Sequence, residues 1–186
     1  LIEDFQINFF DRPKVEVVRQ YARRINNYLG DNQVGTSHIE ALHDLGYIPM
    51  TIKALPEGAS VPIRVSMFTM YNTRPEFFWL TNYFETLLST TIRMPCTSAT
   101  IAKKYREILD QYAMETSSAT DFVDWQGHDF SMRGMAGLEA ALLSASGHLL
   151  SFTGTDTIPV IDFLERYYNA NSDKELIGGS VAATEH

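Results

Sequence analysis

From about residue 122 the chain alternates short apolar runs with helical ones, and polar clusters close the apolar runs: HDFSMRG at 128–134, GTDT at 154–157 and SVAATEH at 180–186. This is the pattern of βαβ units, in which strands lie parallel because each crossover helix returns the chain to the same end of the sheet. The expected order is a strand at 122–125, a helix at 137–146, a strand at 148–152, a helix at 158–168 and a short strand at 177–181. Arg133, Asp156 and His186 stand 23 and 30 residues apart, close to the roughly 31 per unit of an eightfold barrel of about 250 residues. An open doubly wound sheet has a similar period. The fold class is therefore α/β, with both architectures open.

The preceding part reads as α+β. Val17, Val18, Tyr21, Ala22, Ile25, Tyr28 and Leu29 recur at helical spacing, with Arg19, Arg23 and Arg24 on the opposite, solvated side and Gly30 as the stop. Ser37 and Glu40 have the spacing of a capping box for a shorter helix that ends at Gly46. Between 47 and 72 the β-branched and aromatic residues, with a turn signal at Pro56, Glu57 and Gly58, predict a strand pair whose Pro62 lies at an edge or an entry. Thr73 and Glu76 have capping-box spacing around Pro75, opening a helix to about residue 92 that is apolar nearly all round, and Pro95 ends it. A further helix places Ile101, Ala102, Tyr105, Ile108, Leu109, Tyr112 and Ala113 on one face and Lys103, Lys104 and Arg106 on the wet one. The unpatterned ETSSAT at 115–120 marks the expected boundary, giving domains 1–118 and 119–186.

Composition narrows the partners. A net charge of −8 disfavours nucleic acid, because the phosphate backbone selects basic surfaces. No apolar run reaches the ~18–20 residues of a membrane span, and no membrane partner is expected. Cys96 is alone among the 186 residues, which fits a reducing cytoplasm and leaves no disulfide within the chain. No metal-ligand spacing, glycine-rich phosphate loop or serine nucleophile elbow is present, so no metal site is expected within the chain. The first residue is Leu and the last, His186, directly follows a polar cluster, from which a fragment of a longer chain is expected.

In either α/β architecture ligands sit at the carboxyl ends of the strands, so Phe130, Arg133, Asp156 and His186 are able to converge. An aromatic plane and a guanidinium together suit a flat heteroaromatic ring. Each residue also has an ordinary structural role: Phe130 in the core, Arg133 paired with Asp129 or Glu139, and Asp156 capping the helix that follows it. His186 reads equally as a surface histidine and as a general acid or base or a phosphoryl acceptor. His128 reads as orienting its loop through Asp129, and His148 as structural.

The three clusters, taken with KALPEG at 53–58, NTRPEFFWLTNYFETLL at 72–88 and SGHLLSFTGTDT at 146–157, resemble the nicotinamide phosphoribosyltransferases in colinear order over essentially the whole chain. The loop around Ser131 and Met132 is similar to that of bacterial and phage members. The resemblance implies a type II phosphoribosyltransferase, with an N-terminal α+β domain followed by the first βα units of a TIM-like barrel. It implies transfer of a phosphoribosyl group from 5-phosphoribosyl pyrophosphate to nicotinamide, giving nicotinamide mononucleotide and pyrophosphate in NAD salvage. By the same resemblance Phe130 stacks on the ring, Arg133 and Asp156 hydrogen-bond the carboxamide, and Ser180, Val181 and Ala183 line the surroundings. His186 is implied to take a phosphoryl group from ATP, Mg2+ to accompany the pyrophosphate, and the enzyme to be a homodimer.

Asp156 is the implied selectivity residue, since a carboxylate repels nicotinic acid but accepts from an amide N–H. Nicotinate phosphoribosyltransferase is the alternative that this acid disfavours, and a noncatalytic base-binding or dimerising module is another. The family's phosphoribosyl contacts are implied to lie largely beyond His186, and a capping segment before Leu1. The chain departs from the family at Ala182, where Pro is usual.

Overall fold

The computed structural model describes residues 1–181 and divides into two compact units, one formed by residues 1–55 and 63–86, the other by 56–62 and 87 onward. In the first unit, α1 (Ile2–Phe5) runs into a π-helical turn, Gln6–Phe10, followed by α2 (Lys14–Leu29) and α3 (Ser37–Leu45). The expected face of α2 is covered from buried Val17 to half-buried Ile25, while Tyr28 and Leu29 in its last turn are exposed, as are Arg19, Arg23 and Arg24. Positive φ at Gly30 and Gly46, 67° and 78°, ends α2 and α3 where the sequence places the stops. The cap of α3 lies one residue earlier than its sequence suggests: Thr36 is the N-cap, and its hydroxyl donates to Glu40 Oε1 at 2.6 Å.

Strands β1 (Met50–Ala54) and β2 (Phe68–Asn72) pair antiparallel with Ile52 opposite Met70, and Pro62 falls in the connection between them. The capping box expected at Thr73 does not form. Arg74, forced to an extended conformation by the proline after it, is instead the N-cap of a 3-10 turn, Pro75–Phe77. Val17, Ile39, Leu42, Phe77, Leu80 and Phe84 are buried in this unit. His38 stands edge-on to Trp79 and shares a 3.0 Å hydrogen bond with the Tyr21 hydroxyl.

Helix α4 (Leu80–Thr116) passes through Pro95 without ending, where two helices were expected. A proline removes one helical N–H and crowds the preceding turn, but tertiary packing outweighs that local preference here. Gly147, on α5 (Leu138–His148), lies so close that any side chain there would strike the Pro95 carbonyl, and the Ser98 hydroxyl donates to the Ser144 carbonyl at 2.7 Å. The break between the units falls inside α4, and 115–120 covers its end and the loop that follows.

Beyond α4 the structure is irregular where strands were expected. Residues Asp121–Trp125 form a 3-10 helix, which turns Val123 wholly into a core with Ala102, Ala113 and Phe152. Arg106 holds that turn: it donates to Asp110 at 2.9 Å, to Asp124 Oδ1 at 2.6 Å and to the Ser151 carbonyl at 2.9 Å, and so is not on the wet side with Lys103 and Lys104. Residues 148–152 are the end of α5 and the turns after it, not a strand; the small residues Ala141, Ser144, Ala145 and Gly147 let α5 bury one face and run on to His148. The strands proper are short. β3 (His128–Asp129) pairs parallel with β4 (Gly154–Thr155), and Gly154 bridges in parallel to Gly179, just before the cluster at 180. Helix α6 (Pro159–Tyr168) follows β4, so β3, α5, β4, α6 and Gly179 keep the alternating order. Among the described residues no helix is long and apolar enough to cross a membrane.

Candidate base-binding site

The site is built by two strand ends whose side chains alternate in opposite directions. Successive residues of an extended segment point to opposite faces. In β3 and the residue after it, Asp129 turns inward, while His128 and Phe130 lie together on the other side with ring centroids 4.4 Å apart. In β4 and the two residues after it, Thr155 and Thr157 turn inward to Asp129, and Asp156 turns outward to His128. Gly154 lies beside His128 in register, and a Cβ there would stand 2.6 Å from His128 Nδ1. The glycine is required by the imidazole beside it.

On the outer face Asp156 Oδ1 accepts from His128 Nε2 at 2.8 Å and from the Ser180 hydroxyl at 3.0 Å. Among the described residues Oδ2 accepts no hydrogen bond. The bond from His128 is the largest influence on the Asp156 carboxyl; burial opposes it, and the Ser180 bond with the charges of His128 and Arg133 adds to it, so the pKa lies below its ordinary value. Asp156 is therefore an anion at neutral pH with one oxygen tethered and the other free. Its role as helix cap is ruled out: Ile158 is the N-cap of α6, and no side chain caps it. Phe130 is 49% exposed and so is not core. Arg133 is exposed in the 3-10 turn Ser131–Gly134 and makes no ion pair with Asp129 or Glu139 among the described residues. Val181 is exposed next to Ser180. Ala183 and His186 lie outside the described residues.

On the inner face Asp129 is only 7% exposed. Its Oδ1 accepts from the Ser131 N–H at 3.0 Å, and its Oδ2 from the hydroxyls of Thr155 at 2.9 Å and Thr157 at 2.7 Å. Its carbonyl accepts from the Asp156 N–H at 2.9 Å. Burial alone would raise the carboxyl's pKa; the donors Ser131, Thr157 and Thr155 more than offset it, and the pKa lies below its ordinary value. His148 is structural, as expected: its Nε2 donates to the Gly154 carbonyl at 3.0 Å, and its ring stacks on Phe152. Asp129, Thr155, Thr157 and the His128 contact to Asp156 were not anticipated, although the alternation in HDF and TDT is their signal. Among the described residues no group of three or more His, Cys, Asp and Glu is placed to hold a metal ion.

The site can present an anionic acceptor, an aromatic face and a guanidinium to one small planar ligand. No protein-family model matches the chain. Three curated bacterial relatives are each named nicotinamide phosphoribosyltransferase. That of Acinetobacter baylyi is 51% identical over 186 residues, 100% of this chain and 36% of the relative. That of Mycoplasma genitalium is 43% identical over 114 residues, 60% of this chain and 25% of the relative. That of Xanthomonas campestris is 32% identical over 142 residues, 76% of this chain and 29% of the relative. The chain thus spans about a third or less of the length of these curated relatives. With every one of its residues aligned at 51% identity, it belongs to the nicotinamide phosphoribosyltransferase family.

Proposed function

We propose that this chain supplies the base-recognition part of an enzyme that transfers a phosphoribosyl group from 5-phosphoribosyl pyrophosphate to nicotinamide, releasing nicotinamide mononucleotide and pyrophosphate. The observation that carries this reading is the free Oδ2 of an ionised Asp156, tethered through Oδ1 alone, close to the exposed ring of Phe130. A carboxamide N–H donates to that oxygen while its pyridine ring stacks on Phe130 and Arg133 reaches the amide oxygen. Nicotinic acid would set a second negative charge against the same oxygen, and like charges in contact disfavour binding. Ser180 acts by holding Asp156 and Val181 lines the ring's edge, while a part for Ala183 rests on the family resemblance alone.

The remaining expectations have partial support. Parallel segments at 128–129, 154–155 and 179 in sequence order suit the opening βα units of a TIM-like, type II phosphoribosyltransferase barrel that begins after the domain 1–118. Exposed Ile101, Tyr105, Ile108 and Tyr112 along α4 suit a homodimer contact. The lone Cys96 suits a cytoplasmic protein. Phosphorylation of His186 by ATP rests on the SVAATEH motif. Mg2+ enters with the pyrophosphate substrate, where it offsets charge on the leaving group.

Steady-state turnover of the intact protein with each base tests the reading. Nicotinamide is the expected substrate, and Asp156→Asn is expected to lower kcat/KM for nicotinamide by at least about tenfold, the effect of one hydrogen bond to a charged group. Preference for nicotinic acid would overturn the selectivity argument. Calorimetric binding of nicotinamide with no product formed would make the chain a noncatalytic binding module.

A further inference from the structure

We propose that Asp129 is the positioning residue of the base site, its buried carboxylate locking the loop that carries Phe130 and Arg133 against the strand end that carries Asp156. The inference rests on the base-binding reading above and extends it to a residue that does not touch the base. Three donors from two separate segments meet on this one side chain: the Ser131 N–H on Oδ1, and the Thr155 and Thr157 hydroxyls on Oδ2. The Thr155 hydroxyl in turn accepts from the Thr157 N–H at 3.0 Å. The Asp129 main chain adds a fourth tie by accepting from the Asp156 N–H.

The lock is dry and specific. Thr155 and Thr157 are 4% and 0% exposed, so neither hydroxyl has water as an alternative partner. A carboxylate is the acceptor required, because Oδ2 receives two hydroxyl protons while Oδ1 receives an amide proton. An asparagine in its place can orient its oxygen toward the hydroxyls or toward the Ser131 N–H, but not toward both. Loss of the hydroxyl ties loosens one segment from the other, and loss of the Ser131 tie loosens the loop that carries Phe130 and Arg133 from Asp129. Phe130 and Asp156 would then no longer meet a flat ligand at a fixed separation, and binding falls when preorganised groups must be ordered by the ligand itself.

Three variants of the intact protein test this: Asp129→Asn, Thr157→Val, which keeps the side-chain shape but removes the hydroxyl, and Thr157→Ser, which restores it. Asp129→Asn and Thr157→Val are expected to raise KM for nicotinamide about tenfold with KM for the phosphoribosyl donor changed by less than about twofold, and Thr157→Ser to stay near wild type. A merely structural role would lower the melting temperature and the active fraction while leaving both KM values alone, and that result overturns the proposal. Amide exchange at Ser131 and Thr157 gives a readout independent of substrate: Asp129→Asn should accelerate both relative to other β3 and β4 amides. If wild-type protein fails to turn over nicotinamide, the functional reading is lost, and exchange alone decides the lock. Unchanged exchange at both amides refutes it.

Discussion

Replacement of Gly147 by alanine sets helix propensity against packing, and the structure says which wins. On an exposed helix interior, Gly→Ala stabilises by about 1 kcal/mol, because glycine loses more backbone freedom on folding. At Gly147 the added Cβ would fall on the Pro95 carbonyl oxygen, 3.0 Å from the Ala99 nitrogen and 3.1 Å from Ser98 Cβ. Two of those neighbours are backbone atoms of α4, which no rotamer change can withdraw, so the two helices must separate locally. Overpacking of this kind costs about 1–3 kcal/mol. Separation also lengthens the 2.7 Å bond from the Ser98 hydroxyl to the Ser144 carbonyl, worth about 1 kcal/mol. The net expectation is destabilisation of about 1–3 kcal/mol, or a fall in melting temperature of roughly 5 °C for a chain of this size. Scanning calorimetry of Gly147→Ala beside Gly134→Ala, where a Cβ meets nothing within 4 Å, isolates the contact. A Gly147→Ala protein as stable as the wild type, or more so, would refute the packing account of the helix that continues through Pro95.

Gly154→Ala should push the His128 ring off Asp156, since the new Cβ would stand 2.6 Å from Nδ1; nicotinamide affinity measured by titration calorimetry is expected to fall several-fold, and an unchanged affinity would remove His128 from the site. Burial holds the His148 pKa below 6.5, so the unfolded chain takes up the proton first as pH falls. Stability should therefore decline from about pH 7 downward until the folded-state pKa is reached. His148→Gln should flatten that part of the urea-midpoint profile, and an unaltered slope would assign it elsewhere. Asp129 behaves as a depressed carboxylate: its contribution is present above the unfolded value near 3.9 and is lost as pH falls through the lower folded value. The stability gap between wild type and Asp129→Asn should accordingly be full at pH 7 and narrow below about pH 4, and a gap independent of pH would show that the hydrogen bonds do not select the ionised form.

Much of the helical frame was legible because helices announce themselves locally. The apolar face from Val17 to Ile25 and the stops at Gly30 and Gly46 need no tertiary information. Pro95 misleads because its cost is local, whereas the compensation comes from Gly147, about fifty residues later in the chain. The segment at 122–125 reads as a strand from its aromatic and β-branched residues, yet Arg106 and the buried Val123 hold it as a 3-10 turn. Motif resemblance singled out Phe130, Arg133 and Asp156; His128 links the first and last, its ring 4.4 Å from that of Phe130 and its Nε2 donating to Asp156, and the charge of Arg133 acts on Asp156. Asp129 was read only as a partner for His128 or Arg133, because a buried carboxylate cannot be recognised until the hydroxyls that satisfy it are known.

The alternation of Thr155, Asp156 and Thr157 separates what a binding site selects from what keeps its shape. The middle residue faces the ligand and its two neighbours face the protein, so a change of codon at 156 alters the charge shown to a base without disturbing a single inward bond. Base preference in such a framework can drift by point substitution while the scaffold is inherited intact. A one-residue insertion or deletion within the same three positions would do the reverse, turning a threonine to the ligand and a charge into the interior.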